Sequence, residues 1–369
     1  MLDELSDFIL GALFGLSGLA PFFHVNTVVE LVKNWQFTSF ELFAVALVFS
    51  RLPFEFLAAT NANLYGEDTA VAGTNYRSKS LKTNLLHCVC AMLISLALFP
   101  VYSIFASEIS PAIKPFLPMV LIGIYLWFLV RQENKIDALI ISLLAGGVGI
   151  ITLDKNLNNA LFILLSGLFA LPELFVPTKE DKETNDDTNP VGFTPKIAVI
   201  GSIISTLSAF FPAMTPAVLS VVSLGFLEKN DDKFAAMNSS ILGSRAVSDF
   251  AGIEYVGKGR SGATAAIIER TSLNFSQIYF LVAAGILVAA ISAIVVNRLG
   301  KKLPKIELGK KERIGIILLM FLYVLYSSNI IGVVAFATCG LVGLTCKMFG
   351  TSRAVLGAAV LFASLKNYF

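Results

Sequence analysis

Residues 11–27 read Gly-Ala-Leu-Phe-Gly-Leu-Ser-Gly-Leu-Ala-Pro-Phe-Phe-His-Val-Asn-Thr, and the interruption in this apolar stretch decides the fold. Its three glycines lead into Pro21, which lacks a backbone N–H donor and clashes with the preceding helical turn. Thr27 and Glu30 then have the spacing of a capping box, the pattern that starts a new helix. The sequence therefore predicts a broken helix, with a kinked but continuous helix as the alternative.

The composition around this stretch is that of an integral membrane protein. The chain has 369 residues, of which 56% are hydrophobic and 15% are charged, whereas soluble domains carry about 25% charged residues. A membrane helix needs about 20 mostly apolar residues, and apolar segments approach or meet this length throughout the chain. They span residues 9–32, 38–59, 81–107, 115–130, 136–152 and 158–176, followed by 197–226, 234–251, 273–297, 313–328, 330–349 and 353–365.

The two halves of the chain flank a polar linker and resemble each other. We interpret residues 1–176 as a first transmembrane repeat, 177–195 as a cytoplasmic linker and 196–369 as a second repeat. An offset of 191 residues places Pro21 on Pro212 and aligns the apolar segments in order. Repeats with interrupted hydrophobic segments at matching positions are typical of secondary transporters, although a chance match between apolar sequences is the alternative.

The lysines and arginines indicate how the segments cross. Cytoplasmic loops collect these residues, yet they divide almost evenly between the two sides if every segment crosses the membrane. If the first segment of each half is instead a re-entrant hairpin, most of the lysines and arginines fall on one side of the membrane, together with the linker. We therefore expect an all-α polytopic protein of the cell membrane, with two inverted repeats, about ten crossings and two hairpins.

The hairpins create two candidate sites for an anion. The half-helices are predicted to begin near Asn26 and Thr27 in the first half and near Thr215 in the second. Helix N-termini bind carboxylate or phosphate through unpaired N–H groups and a partial positive charge. If the hairpins enter from opposite faces, both N-termini converge on one substrate anion. His24 would line the same place, although a lone histidine is usually a structural residue.

A polar cluster between residues 60 and 69 is a second candidate site. Asn61 and Asn63 offer hydrogen-bonding groups to a substrate. Carboxylates within a membrane domain are costly unless they are paired or used. We therefore expect Glu67 and Asp68 to bind a coupling Na⁺ or to carry H⁺, with a solvated loop as the alternative.

The matching stretch of the second half, residues 257–263, is basic. Ser261 can cap the short helix that follows, and Arg260 could hold a substrate carboxylate through two parallel hydrogen bonds. We expect both residues to bind the substrate. Ionisable residues also occur inside the second segment of each half, where we expect them to pair with each other for structural reasons. These residues are Arg51, Glu55, Arg245 and Asp249.

Motifs of other protein classes are missing from the sequence. It contains no HExxH zinc motif, no GxSxG nucleophile elbow and no Cys/His metal spacing. No basic tail or aromatic-rich basic patch indicates nucleic-acid binding. We expect a protein that is not an enzyme, has no cofactor apart from a coupling ion, and binds no nucleic acid.

Several of these stretches together resemble a known family. The glycines with Pro21, the Gly-Glu-Asp-Thr-Ala stretch at 66–70 and the basic stretch at 257–263 are similar to motifs of the archaeal branch of the tripartite tricarboxylate transporter TctA family. Ala20 and Phe22 depart from the family pattern, which tends to have Pro-Gly here. The resemblance implies an inverted-repeat transporter of organic anions, whose bacterial systems add a small membrane subunit and an extracytoplasmic binding protein.

The sequence thus predicts a multi-pass secondary transporter that moves a small di- or tricarboxylate by alternating access, coupled to Na⁺ or H⁺. Its expected partners are this anion and the lipid bilayer, with a small membrane subunit, a binding protein or further copies of the chain as additional partners. The alternative is a protein that flips or scrambles an anionic lipid, which predicts a groove open sideways to the bilayer.

Overall fold

The computed structural model describes residues 2–70, 80–155, 157–176, 192–210, 231–257, 259, 261–306 and 308–366, together with positions 216, 219, 220 and 223. All regular structure in these residues is helical, as predicted. The helices are α1 Leu2–Phe14, α2 Val25–Val32, α3 Phe40–Ala62, α4 Glu67–Ala70, α5 Leu81–Ile113, α6 Leu117–Val130, α7 Lys135–Asp154, α8 Ala160–Leu165, α9 Leu171–Phe175, α10 Pro195–Phe210, α11 Asp231–Val256, α12 Gly262–Ile268, α13 Phe275–Lys302, α14 Lys310–Met348 and α15 Ala358–Lys366.

Short helices of other types join some of these elements. Three 3₁₀ helices and one π-helix occur in the described residues, the π-helix lying between α8 and α9. The 3₁₀ helices are Gly15–Leu19, Lys114–Phe116 and Arg353–Gly357, and the π-helix is Ser166–Ala170.

Five helices of the described chain are long and apolar enough to cross a membrane, namely α3, α5, α7, α13 and α14. Of these, α3 is buried along most of its length and forms the centre of the bundle. The outer helices α13 and α14 instead expose large apolar side chains such as Leu287, Ile291, Leu322 and Val334. Contiguous apolar surface of this kind marks contact with a membrane or a partner.

The first apolar segment folds back on itself as a hairpin. The Asp7 carboxylate in α1 accepts hydrogen bonds from the backbone N–H groups of Thr38 and Ser39, each at 2.8 Å, so α1 and α3 begin at the same level. Midway along the hairpin, the rings of Phe14 and Trp35 meet edge to face at 5.8 Å. The two arms of the hairpin therefore begin and end at the same end of α3. The predicted break is confirmed for the first half.

The restart of the helix differs in one respect from the prediction. We expected Thr27 to cap it, but the N-cap is His24, whose backbone is extended and whose Nδ1 accepts from the Asn26 N–H at 3.2 Å. Thr27 already lies in the first turn of α2, because its N–H bonds the His24 carbonyl. The capping-box prediction at Thr27 and Glu30 is therefore wrong by one helical turn.

Glycines let the first arm of the hairpin lie directly on α3. A Cβ atom at Gly11 would meet the Phe43 carbonyl, and one at Gly18 would meet the Arg51 carbonyl. Backbone atoms cannot move aside as side chains can. These glycines therefore permit a close helix contact as well as preceding the break at Pro21.

Helix α14 reverses direction at Asn329, which has φ 57° and ψ −166°. The rings of Phe321 and Phe336 lie 5.0 Å apart, although residues fifteen apart in a straight helix are separated by roughly 22 Å. The two arms of α14 therefore pack against each other, which matches the predicted segments 313–328 and 330–349.

The same kind of helix contact occurs twice between the two halves of the chain. α3 packs against α13, and α11, which lies 191 residues after α3, packs against α5. α5 and α13 also run in opposite directions, because Leu81 lies against Gly300 at one end and the Phe99 ring meets Phe275 at 5.4 Å at the other. The second hairpin was predicted around residues 211–215, which lie outside the described residues.

We predict that Gly18→Ala destabilises the protein, by about 1–3 kcal/mol, because the new methyl group collides with backbone of α3. Thermal unfolding of the purified protein in detergent measures the effect. Gly123→Ala is the matched control, since nothing lies within 4 Å of a Cβ at this exposed glycine and alanine favours a helix. Equal melting temperatures of the two variants would contradict the close packing.

We predict that Asn329→Gly raises the melting temperature. The φ and ψ angles of Asn329 fall in a region that only glycine occupies readily, and holding another residue there costs about 1–3 kcal/mol. Asn329→Ala retains this strain and serves as the comparison. A lower melting temperature for the glycine variant than for the alanine variant would rule out this backbone conformation.

Candidate functional site

The tip of the first hairpin leaves backbone carbonyls without helical partners, and two side chains supply hydrogen bonds to them. Ser166, in the π-helix, donates its hydroxyl to the Phe22 carbonyl at 2.6 Å. Arg51 donates through Nη2 to the Phe23 carbonyl at 2.7 Å. Non-helical backbone within a membrane domain requires such partners, so these bonds fix the position of the tip.

Arg51 also forms a buried ion pair. Its Nη1 lies 3.3 Å from Glu55 Oε2, and the two side chains are only 3% and 2% exposed. The other oxygen of Glu55 accepts from the Thr69 hydroxyl at 3.2 Å, and Thr69 accepts from the Gly66 N–H. This network connects the hairpin tip, through α3, to the start of α4.

Two helix N-termini meet beside the hairpin tip. His24 caps α2, and Ser261 caps α12 in a capping box with Thr264, which confirms the predicted cap at Ser261. The Asn26 side-chain oxygen accepts from the Gly262 N–H at 2.8 Å. This bond joins the first turns of the two helices, one from each half of the chain.

A cavity of about 170 Å³ lies at this meeting point. Among the described residues, its charged lining consists of Arg51 on α3 with Arg245 and Asp249 on α11. Arg245 Nε lies 3.6 Å from Asp249 Oδ1, and the two side chains are 22% and 13% exposed. The rest of the lining is polar at His24, Asn26 and Ser261 and otherwise apolar: Val25, Val48, Leu52, Leu161, Leu165, Pro216, Leu242, Ala246 and Val360.

The structure brings three of the predicted substrate residues to this cavity, namely His24, Asn26 and Ser261. Thr27 is buried in the first turn of α2 and is absent from the lining. Two further predicted residues, Thr215 and Arg260, lie outside the described residues. Their neighbours Pro216 and Ser261 both line the cavity.

The predicted cluster after α3 lies apart from the cavity. Asn61 donates to the Leu303 carbonyl at 3.3 Å, and Asn63 ends α3 with φ 53° and accepts from the Tyr65 hydroxyl. Both asparagines thus have structural contacts, and their role in substrate binding stays a prediction. The backbone at Glu67 and Asp68 begins α4, but their side chains lie outside what the structure describes.

The sequence also matches a known family along most of its length. The model of the tripartite tricarboxylate transporter TctA family matches residues 8–356. The chain belongs to this family. TctA proteins are membrane proteins of the tricarboxylate-transporter type and form a transporter family rather than an enzyme family, so the resemblance seen in the motifs is confirmed.

The comparisons with individual proteins give one distant relative of this TctA protein. An uncharacterized protein of the archaeon Methanocaldococcus jannaschii is 24% identical over 312 residues, which cover 78% of this chain and 77% of the relative. This relative is consistent with the archaeal branch of the TctA family. No solved structure matches the chain.

Three cavity residues of this TctA protein were not predicted as site residues. Arg51, Arg245 and Asp249 were expected only to form ion pairs, and both pairs are present within their helices. The missed signal was the occurrence of ionisable residues inside apolar segments, since such residues are rare in membranes and usually functional. Arg51, Arg245 and Asp249 share one cavity because α3 lies close to α11.

A second ionic cluster of the TctA chain lies away from the cavity, at the end of α4. Glu173 in α9 pairs with Lys347 at 2.6 Å and also with Arg353. Arg353 donates in addition to the Ala70 carbonyl at 2.9 Å. Two cations thus share one carboxylate and hold the last segments of the two halves together.

We predict that Glu55→Gln strongly destabilises this TctA protein, because it leaves the buried Arg51 without its counter-charge. Removing one partner of a buried ion pair costs about 3–5 kcal/mol. Glu30→Gln is the matched control, since Glu30 pairs with Lys33 at an exposed position, where such pairs contribute about 0–1 kcal/mol. Thermal unfolding in detergent compares the variants, and equal losses would show that the Arg51 network is unimportant for stability.

Proposed function

We propose that this TctA protein is a secondary transporter that carries a small di- or tricarboxylate anion by alternating access. The observation that carries the proposal is the cavity at which the N-terminus of α2, Arg51 and Arg245 meet. The family gives the transporter class, and two arginines beside a helix N-terminus support an anionic substrate.

The chemistry of the cavity suits a carboxylate. The N-terminus of α2 contributes a partial positive charge. His24 lines the cavity, and its Nδ1 accepts from the Asn26 N–H, so in a neutral ring the proton lies on Nε2. Arginine binds planar carboxylates through parallel hydrogen bonds, and Arg245 is the more exposed of the two cavity arginines.

Arg51 adds a second argument for an anion. Its Nε is buried and has no hydrogen-bond partner among the described residues, although the side chain lines the cavity. A buried donor without a partner costs about 1–3 kcal/mol. A substrate oxygen bound at the N-terminus of α2 could accept from this donor and remove that cost.

The proposed mechanism uses two inverted repeats with about ten crossings and two re-entrant hairpins. The antiparallel course of α5 and α13 and the reciprocal packing of α3 and α11 support this arrangement. The cavity takes residues from both halves, so rocking of one half against the other would expose it to alternate sides of the membrane. Thr215 and Arg260 remain proposed substrate residues, because their chain neighbours Pro216 and Ser261 line the cavity.

The remaining parts of the proposal concern coupling and partners. Uptake is driven by a cation gradient, and a small membrane subunit and an extracytoplasmic binding protein are the proposed partners, as the tripartite family implies. The protein is proposed to work in the cell membrane, where its exposed apolar helices contact lipid.

Arg245→Gln is expected to weaken carboxylate binding by about 10- to 100-fold, because hydrogen bonds to a charged group contribute about 1.5–3 kcal/mol. Purified protein reconstituted in liposomes, with radiolabelled citrate and succinate as probes, gives uptake, while calorimetry gives affinity. Arg298→Gln, at an exposed position of α13, is the matched control and retains both.

Two results would contradict the proposed function. One is a wild-type protein that neither binds nor takes up any di- or tricarboxylate under any imposed cation gradient. The other is an Arg245→Gln variant whose affinity and uptake equal those of the wild type, which would remove the cavity from the transport path.

A further inference from the structure

A second cleft, separate from the cavity at the hairpin tip, lies between the last turn of α9 and the first turns of α14. This α9–α14 cleft has a volume of about 470 Å³, within the roughly 300–1,000 Å³ of small-molecule sites. Two cations and five apolar side chains line it: Lys310, Arg313, Leu174, Phe175, Leu308, Ile314 and Ile317. A lining that is both positive and apolar suits a ligand that is both anionic and apolar.

The two cations of the cleft are available to an external anion. Lys310 and Arg313 are three residues apart in α14, so they lie on the same face of the helix. Lys310 is exposed and Arg313 is half-buried. In the part of the chain that the structure describes, no carboxylate forms an ion pair with either of them.

The acidic residues that neighbour the cleft in the chain are absent from its described lining. Glu312 lies between the two cations in sequence but does not line the cleft. Glu173 precedes the lining residues of α9 and binds Lys347 and Arg353. Glu307 lies outside the described residues. The described lining of the cleft therefore has a net positive charge.

An exposed apolar stripe continues from the cations along α14. Ile314, Leu318, Leu322 and Leu325 follow one another at helical spacing on one face, and each of them is 45–60% exposed. At 1.5 Å per residue the stripe is about 16 Å long, which is close to half of the roughly 30 Å hydrocarbon core of a bilayer. The stripe can therefore lie along an acyl chain of one leaflet.

The cleft also lies at the end of the bundle where positive charge is concentrated. Helix α13 ends at Lys302 and α14 begins at Lys310, and seven lysines and arginines occur between residues 298 and 313. The distribution of these residues predicts that this end is cytoplasmic. Cytoplasmic leaflets carry anionic lipids, and basic pockets between membrane helices bind their headgroups.

We propose that the α9–α14 cleft binds an anionic phospholipid, with its phosphate at Lys310 and Arg313 and one acyl chain along the stripe from Ile314 to Leu325. Arg313 donates parallel hydrogen bonds to the phosphate oxygens, and Lys310 adds a point charge. Because α9 belongs to the first half of the chain and α14 to the second, the bound lipid connects the two halves. The inference does not depend on the proposed carboxylate transport.

Native mass spectrometry of the purified protein in detergent, titrated with phosphatidylglycerol or phosphatidylcholine of the same acyl chains, measures the affinity for each lipid. Each cation near an anionic lipid contributes about a fivefold gain in affinity. The wild type is therefore expected to bind phosphatidylglycerol about 30-fold more tightly than phosphatidylcholine. The double variant Lys310→Gln/Arg313→Gln should lose about this factor for phosphatidylglycerol and keep its affinity for phosphatidylcholine.

Lys301→Gln/Lys302→Gln is the matched control. It removes the same charge from exposed positions at the end of α13, and neither residue lines the cleft. This variant should bind phosphatidylglycerol as the wild type does. Equal losses in the two double variants would show a diffuse attraction to the basic segment and overturn the assignment of the lipid to the cleft.

Two measurements on the wild type complete the test. Inorganic phosphate at the concentration of the lipid should not displace phosphatidylglycerol, because it lacks the acyl chain; displacement would make the cleft a site for a soluble anion and overturn the proposal. Equal affinities for phosphatidylglycerol and phosphatidylcholine, or no binding of phosphatidylglycerol, would overturn it as well. These comparisons decide the matter even if a variant does not fold.

Discussion

The position of the Arg51 guanidinium is the constraint on which the site depends. One end of this group bonds the Phe23 carbonyl at the hairpin tip, and the other faces Glu55. A carbonyl, a cation and a carboxylate would each be costly alone in an apolar bundle. Together they are mutually satisfied, and this fixes where the chain turns and where α2 begins.

The rest of the first hairpin is built to let this contact form. Glycines bring the first arm against α3 so closely that a methyl group at Gly11 or Gly18 would strike backbone atoms. The π-helix between α8 and α9 places Ser166 within reach of the Phe22 carbonyl. Local widening of this type is frequent at functional sites. The broken backbone is thus held by side chains from several segments, which explains how it persists inside a membrane domain.

The cavity is a shared feature of the two halves of this TctA protein. His24, Asn26 and Arg51 come from the first half, whereas Arg245, Asp249 and Ser261 come from the second. The hydrogen bond from Gly262 to Asn26 joins residues that are 236 positions apart. Any movement of one half relative to the other must change this cavity, which is the property that alternating access requires.

The sequence by itself determined the membrane class, the apolar segments, the break at Pro21, the cap at Ser261 and the family. Each of these depends on residues that are close in the chain, such as an apolar run, a proline or a capping serine, or on short motifs that follow one another in order along it. The sequence also indicated that Arg51, Glu55, Arg245 and Asp249 pair with each other, and in the structure the members of each pair are one helical turn apart.

Tertiary structure alone decided which of these residues form one site. It replaced Thr27 by His24 as the cap of α2, left Asn61 and Asn63 away from the cavity, and brought Arg245 and Asp249 to the hairpin tip. The physical reason is that helix propensity and hydropathy report local preferences. Which helix faces meet is set by close packing and by the need to pair buried polar groups contributed by distant segments.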